Sequence, residues 1–122
     1  MRKAFLGVLI TVLFTLNLEA ANTTGRWSGQ FRVEGGDHDI PQLILIKQEG
    51  NKITGSGGPN ESEQYPIEKG SIDGDHVQFE LTTGDWKFAY DLKIDDAKMM
   101  GKITLNSLNE SRSAKVSLTK VQ

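Results

Sequence analysis

The sequence predicts an all-β domain, and three observations support this prediction. After residue 20, apolar and polar residues alternate with a period of two, as in strands that have one face in the core and one in solvent. The alternating segments recur about every 8 to 12 residues, which is the spacing of sandwiches and barrels. Of the thirteen glycines, those at 36, 50, 74 and 84 fall between the segments next to Asn or Asp, as expected for turns. We expect a single antiparallel up-and-down eight-stranded β-barrel.

Eight segments account for the alternation, and no stretch after residue 20 has a convincing helical period. The predicted strands are 26–33, 40–48, 52–56, 65–69, 76–82, 86–94, 98–105 and 113–120. Successive connections of a meander fall at alternate ends, so the short connections at 48–51, 73–75 and 95–97 share one end. The longer connections at 34–39, 57–64 and 106–112 share the other end with the turn at 83–85. The sequence therefore predicts a closed end and a looser mouth.

The first twenty residues predict a secretory signal peptide. Arg2 and Lys3 precede an apolar run over residues 4–18, and Ala20 is a small residue suited to cleavage. The run is shorter than the roughly 20 apolar residues that a membrane-spanning helix needs. We expect residues 1–20 to be removed and residues 21–122 to form one secreted or periplasmic barrel domain, with no membrane span after cleavage.

The composition excludes several kinds of protein. The chain has no cysteine, so neither a disulfide framework nor a lipid-modified cysteine can form. Residues 1–20 contain two basic residues and one acidic residue, and without them twelve basic and fifteen acidic side chains remain, a net charge of −3. This balance predicts neither nucleic acid nor an anionic membrane as a partner.

The first predicted strand begins with Gly25-Arg26-Trp27. This Gly-x-Trp start on an eight-strand meander resembles the lipocalins and the wider calycin group. It also resembles a group of small secreted bacterial domains with a Gly-x-Trp-x-Gly start. In lipocalins the tryptophan packs across the closed end, beneath a basic residue near the last strand. The resemblance implies this structural role for Gly25, Trp27 and Lys120, because the inward parity of the last strand brings Lys120 to the end where Trp27 begins.

Inward-facing aromatic residues are the candidate ligand-binding groups. A barrel of eight strands either fills with side chains or holds one small ligand. If the barrel holds a ligand, we expect a shallow pocket at the mouth for a small apolar or amphipathic molecule, lined by Tyr65, Phe79, Trp86, Phe88 and Tyr90. If side chains fill the barrel, these rings belong to the core, and the protein is a fully packed structural or protein-interaction domain without a small-molecule ligand.

The second predicted strand contains four consecutive apolar residues, 43–46, so both of its faces are apolar. Either the termini or loops of the chain cover the outer face, or that face contacts a protein partner. For a protein partner we expect Ile44 and Ile46 to form the interaction surface.

The sequence predicts a non-enzymatic protein without a cofactor. It contains no Gly-x-Ser-x-Gly motif, no His-Glu-x-x-His motif and no phosphate-binding glycine loop between a strand and a helix. Two acidic clusters, at 37–39 and 73–76, each contain a histidine, but the meander places them at opposite ends of the barrel. Each cluster is therefore predicted to be a hydrated turn, and no metal site is expected.

Overall fold

The computed structural model describes residues 22–121, and these residues form nine β-strands and no helix. The predicted signal peptide, residues 1–20, lies outside the described residues. The strands are β1 Gly25–Val33, β2 Ile40–Glu49, β3 Lys52–Asn60, β4 Glu63–Pro66, β5 Glu68–Asp73, β6 His76–Thr83, β7 Trp86–Asp95, β8 Lys98–Asn106 and β9 Ser111–Lys120. Within the described range, nothing has the helical length and hydropathy needed to cross a membrane.

The strands form one antiparallel sheet that closes on itself. Neighbouring strands in the sequence are neighbours in the sheet, except that β4 and β5 lie end to end and both pair with β3. The sheet closes where β1 pairs with β9, with Trp27 opposite Lys120 and Val33 opposite Ala114. Because β4 and β5 together occupy one position, the fold is an eight-stranded up-and-down barrel, and the predicted fold class is confirmed.

The break between β4 and β5 lies at Ile67. The Ile67 N–H donates to the carbonyl oxygen of Gly55 at 2.9 Å, and Lys69 has a φ of 53°. The register against β6 shifts between Glu68 and Ser71, which is the signature of a β-bulge. The predicted fourth strand, 65–69, is therefore divided at Ile67, and the bulge lies within β5.

One hydrophobic core fills the barrel. Along β7 the residues Tyr90, Leu92 and Ile94 are buried, whereas Asp91 and Lys93 between them are exposed. The same alternation holds along the other strands, and the largest fully buried apolar side chains are Trp27, Ile44, Ile53, Val77, Phe79, Leu92, Met99, Ile103 and Leu118. Burial of these side chains is the main source of stability, because the chain has no disulfide.

The prediction that Ile44 and Ile46 form an interaction surface is wrong. Ile44 is 0% exposed and Ile46 is 5% exposed, and both belong to the barrel core. The apolar residues of β2 with the opposite parity are Leu43, which is 7% exposed, and the half-buried Leu45. Four consecutive apolar residues cannot show which parity faces inward, and this ambiguity caused the error.

The long connection predicted at 57–64 is also wrong, because β3 continues to Asn60 and β4 begins at Glu63. The Asn60 side-chain oxygen accepts two backbone N–H bonds from the turn, at 2.9 and 3.0 Å. A Cβ on Gly57 would lie 2.7 Å from a core side chain, and one on Gly58 would lie 1.9 Å from the Glu63 carbonyl oxygen. These glycines therefore allow strands to approach closely and do not mark a loop.

Candidate functional site

The N-terminal arm closes one end of the barrel over Trp27. The Trp27 ring is 0% exposed, and its indole N–H donates to the carbonyl oxygen of Thr23 at 2.9 Å. Thr23 is buried, and its N–H and hydroxyl both donate to Gln48 Oε1, at 2.8 and 2.9 Å. Gly25 has a φ of 149°, and Lys120 Nζ lies 5.9 Å from the centre of the Trp27 ring. The structure thus brings the predicted closed-end residues together.

The opposite end of the barrel contains a cavity of about 190 Å³. Six strands contribute to its wall, mostly with apolar side chains, and the lining residues are Phe31, Ile40, Gln42, Gly58, Pro59, Glu63, Tyr65, Leu81, Thr83, Phe88 and Tyr90. Among these described lining residues, none is Lys or Arg, and Glu63 is the one carboxylate. A mostly apolar wall with a few polar groups is typical of small-molecule sites.

A buried polar pair lies in the wall of this cavity. The Tyr90 hydroxyl donates to Gln42 Oε1, and the Gln42 amide donates to the Pro41 carbonyl oxygen at 3.3 Å. The Phe79 ring stacks on the Tyr90 ring, with 4.4 Å between ring centres and 18° between ring planes. Burial raises the pKa of the Tyr90 phenol above its ordinary value near 10, so the group is neutral at physiological pH. This pair offers a ligand neutral hydrogen-bonding groups inside an apolar wall.

Aromatic residues also line the outer part of the cavity. Phe31 and Phe88 pack edge to face, with 6.2 Å between ring centres and 72° between ring planes. The Tyr65 hydroxyl donates to the Glu63 carboxylate, and this hydrogen bond raises the pKa of the Tyr65 phenol. Phe88 and Tyr65 are both half-buried, so solvent reaches the cavity beside them.

The structure distributes the five aromatic residues predicted for the mouth over three positions. Tyr65, Phe88 and Tyr90 line the cavity. Phe79 is buried against Tyr90 and is not among the lining residues. Trp86 is half-buried at the start of β7, paired with the lining residue Thr83, but is itself outside the lining. Their part in binding remains a prediction.

Sequence reasoning missed several lining residues, among them Ile40, Gln42, Pro59 and Glu63. Gln42 was hidden by the undecided parity of β2, although it shares the parity of the core residue Ile44. Pro59 and Glu63 fell within the segment predicted to be a loop. Gln42 lies two residues before Ile44, so alternation along the strand would have identified it as inward-facing once the parity was known. Nothing in the sequence indicates the free volume beside it.

The two histidine-containing clusters do not meet. His38 Nδ1 lies 2.8 Å from the Asp37 carboxylate in the loop after β1, and His76 Nε2 lies 2.5 Å from the Asp91 carboxylate on the barrel wall. Within residues 22–121, no group of three or more His, Cys, Asp or Glu side chains is close enough to hold a metal ion.

The closed barrel with a cavity at its mouth defines the class of this protein as an all-β, antiparallel, eight-stranded up-and-down barrel. No protein-family model matches the chain, and no curated protein matches its sequence. Among solved structures, the chain is similar to zebrafish ileal bile acid-binding protein complexed with cholic acid. That similarity has 12% sequence identity and a TM-score of 0.47, and it covers 80% of this chain and 98% of the zebrafish chain.

Proposed function

We propose that this protein binds a small apolar molecule, neutral or cationic, in the cavity at the mouth of the barrel and catalyses no reaction. The observation that supports this proposal is the cavity itself, about 190 Å³ with a mostly apolar wall and the neutral Tyr90–Gln42 pair. A fully packed interaction domain, the alternative, has no need of an apolar depression at the mouth of the barrel.

The volume of the cavity limits the size of the ligand. An apolar cavity of roughly 150 Å³ holds a benzene molecule, whereas pockets for drug-sized molecules begin at about 300 Å³. A cavity of about 190 Å³ therefore accommodates one aromatic ring with a short substituent, or a short branched chain. Any longer part of a ligand has to extend through the mouth into solvent.

The charge of the lining limits the ligand further. Burying an anion without a cationic partner costs free energy, and the described lining residues supply the carboxylate of Glu63 but no Lys or Arg. An alcohol or an amine is therefore favoured over a carboxylate of the same shape. The Tyr90–Gln42 pair provides the hydrogen-bonding groups for such a polar substituent.

Three probes of nearly identical shape test this proposal by isothermal titration calorimetry: benzyl alcohol, benzylamine and benzoate. We expect the alcohol and the amine to bind at least about tenfold more tightly than benzoate, because only benzoate buries an unpaired anion. Failure of all three probes to bind would contradict the proposal. Tighter binding of benzoate would retain the cavity as the site but overturn the charge preference.

Two adjacent threonines provide a matched pair of variants for the same titration. Thr83 lines the cavity, whereas the next residue towards the N-terminus, Thr82, is exposed on the outer face of β6. Thr83→Trp should fill the cavity and abolish binding of benzyl alcohol. Thr82→Trp adds the same bulk outside the barrel and should bind like the wild type. Equal effects of the two substitutions would place the binding site elsewhere.

We also propose that the barrel acts outside the cytoplasm, as a secreted or periplasmic protein. The charged start, apolar run and small residue at the end of residues 1–20 support this location. The intact mass of protein recovered from outside the cytoplasm should correspond to a chain that begins at Ala21. Recovery of the protein only inside the cytoplasm, with residues 1–20 attached, would contradict the proposed location.

A further inference from the structure

One part of the outer wall of the barrel carries basic side chains without acidic ones. Strands β1, β9 and β8 are adjacent in the sheet, and their outward positions carry two arginines and three lysines. No outward position of these three described strands carries a carboxylate. We call this surface the basic wall and define it by Arg26, Arg32, Lys98, Lys102 and Lys115.

Three of these cations lie in one row across the strands. Lys115 is directly opposite Arg32 on β1 and directly opposite Lys102 on β8. Lys98, Lys102 and Lys115 form no ion pair among the described residues, whereas Arg32 pairs with Asp39 at 3.0 Å and Arg26 pairs with Glu61. Like charges directly opposite each other on neighbouring strands destabilise a sheet. Lys115 thus faces a like charge on each side, whereas Lys102 also faces the carboxylate of Asp91 on β7. The like-charge contacts of Lys115 oppose folding, and a binding role would account for them.

An apolar side chain projects from β8, at one edge of the basic wall. Met100 is 53% exposed and lies between Lys98 and Lys102 on the outer face of β8. On β9 it is directly opposite Ser117. Exposed apolar groups surrounded by lysines are typical of surfaces that lie on lipid, where the apolar group enters the headgroup region and the cations contact anionic lipids.

We propose that the basic wall binds the surface of an anionic phospholipid membrane. The overall charge of −3 suggested no such partner, but that total does not show that the outward positions of these three strands carry no carboxylate. A convex wall three strands wide can rest on a flat bilayer with these five cations towards it. Nucleic acid fits less well, because the outward positions of β1, β8 and β9 carry no aromatic residue on which a base could stack.

The strength of each contact predicts the size of the effect. A Lys or Arg near an anionic bilayer contributes about 1 kcal/mol, which corresponds to about a fivefold change in affinity. The double variant Lys102→Gln with Lys115→Gln should therefore bind anionic vesicles about 25-fold more weakly than the wild type. The matched control is Lys47→Gln with Lys52→Gln, which removes the same charge from β2 and β3 and should change binding less than about twofold.

The experiment is co-sedimentation of residues 21–122, which contain every strand of the closed barrel, with lipid vesicles. Residues 1–20 are omitted because their apolar run would bind lipid by itself. Binding to vesicles of phosphatidylcholine with phosphatidylglycerol should exceed binding to phosphatidylcholine alone and weaken with added salt. Absence of this difference, or equal loss in the two double variants, would overturn the proposal.

Three further measurements test the proposal against its alternatives. The single variant Lys115→Gln should unfold at a denaturant concentration at least as high as the wild type, because it removes the like-charge contacts with Arg32 and Lys102. A lower midpoint would contradict the like-charge argument. Binding to an oligonucleotide or to heparin, without binding to anionic vesicles, would replace the membrane with a soluble polyanion and overturn the proposal.

The variant Met100→Ser tests the apolar part of the contact. It should weaken vesicle binding and leave the salt dependence of binding unchanged. An unchanged affinity for vesicles would show that Met100 is not part of the contact.

Discussion

The two ends of the barrel each contain one of the two tryptophans, but they use them differently. At the closed end the Trp27 ring is fully buried, and its N–H is bonded to Thr23, which is itself held by Gln48. At the mouth Trp86 is half-buried and pairs with Thr83 beside a cavity of about 190 Å³. An inward aromatic residue therefore does not by itself indicate a ligand site. The mouth differs from the closed end because it has free volume and accessible polar groups.

The largest expected effect tests the structural role of the closed end. Trp27→Ala should lower the free energy of unfolding by about 3 to 5 kcal/mol, as is typical of a buried aromatic residue. Trp86→Ala should cost less, because that side chain is only partly buried against the core. Urea denaturation of both variants measures the difference. An equal or larger cost at Trp86 would remove the proposed contrast between the ends.

The polar pair at the mouth should give the next largest effect. Tyr90→Phe removes the donor to Gln42 Oε1 and leaves a buried acceptor without its partner, so stability should fall by about 1 to 3 kcal/mol. The same substitution should weaken binding of benzyl alcohol more than binding of toluene, which has no hydroxyl. Equal effects on the two ligands, measured by calorimetry, would show that the pair serves packing alone.

The raised pKa of Tyr90 predicts a pH dependence that the Phe variant lacks. In the folded state the Tyr90 phenol keeps its proton to a higher pH than in the unfolded chain, where its pKa is near 10. Stability from Tyr90 is therefore fully present below about pH 10 and is lost as the pH rises above that value. The difference in unfolding free energy between wild type and Tyr90→Phe should stay constant up to about pH 10 and shrink above it. A difference that stayed constant at higher pH would contradict the assigned burial effect.

The smallest effect belongs to the cation at the closed end. Lys120→Met keeps the length of the side chain but removes the charge 5.9 Å from the centre of the Trp27 ring. The loss should be about 0.5 to 1 kcal/mol, because Lys120 is partly exposed to solvent. Thermal or urea unfolding at matched pH measures it. A stabilising substitution would show that the cation contributes nothing over the ring.

The closed end and the mouth also differ in how far the sequence predicts them. Period-two alternation and turn spacing were sufficient for the eight-strand meander and for the end at which Trp27 and Lys120 meet. The mouth depends on details that alternation does not contain. The parity of β2 was undecided because residues 43–46 are all apolar, and Gly57 and Gly58 looked like a loop although they lie within β3. The volume of the cavity depends on how rings such as Phe31 and Phe88 pack together.

The most direct test of the central claim uses the indole N–H signals of the two tryptophans in a ¹H–¹⁵N NMR spectrum. One signal reports on each end of the barrel, because Trp27 lies at the closed end and Trp86 at the mouth. During a titration with benzyl alcohol, the signal of Trp86 should move in a saturable way while the signal of Trp27 stays in place. A shift of the Trp27 signal alone, or no shift of either signal, would contradict a binding site at the mouth.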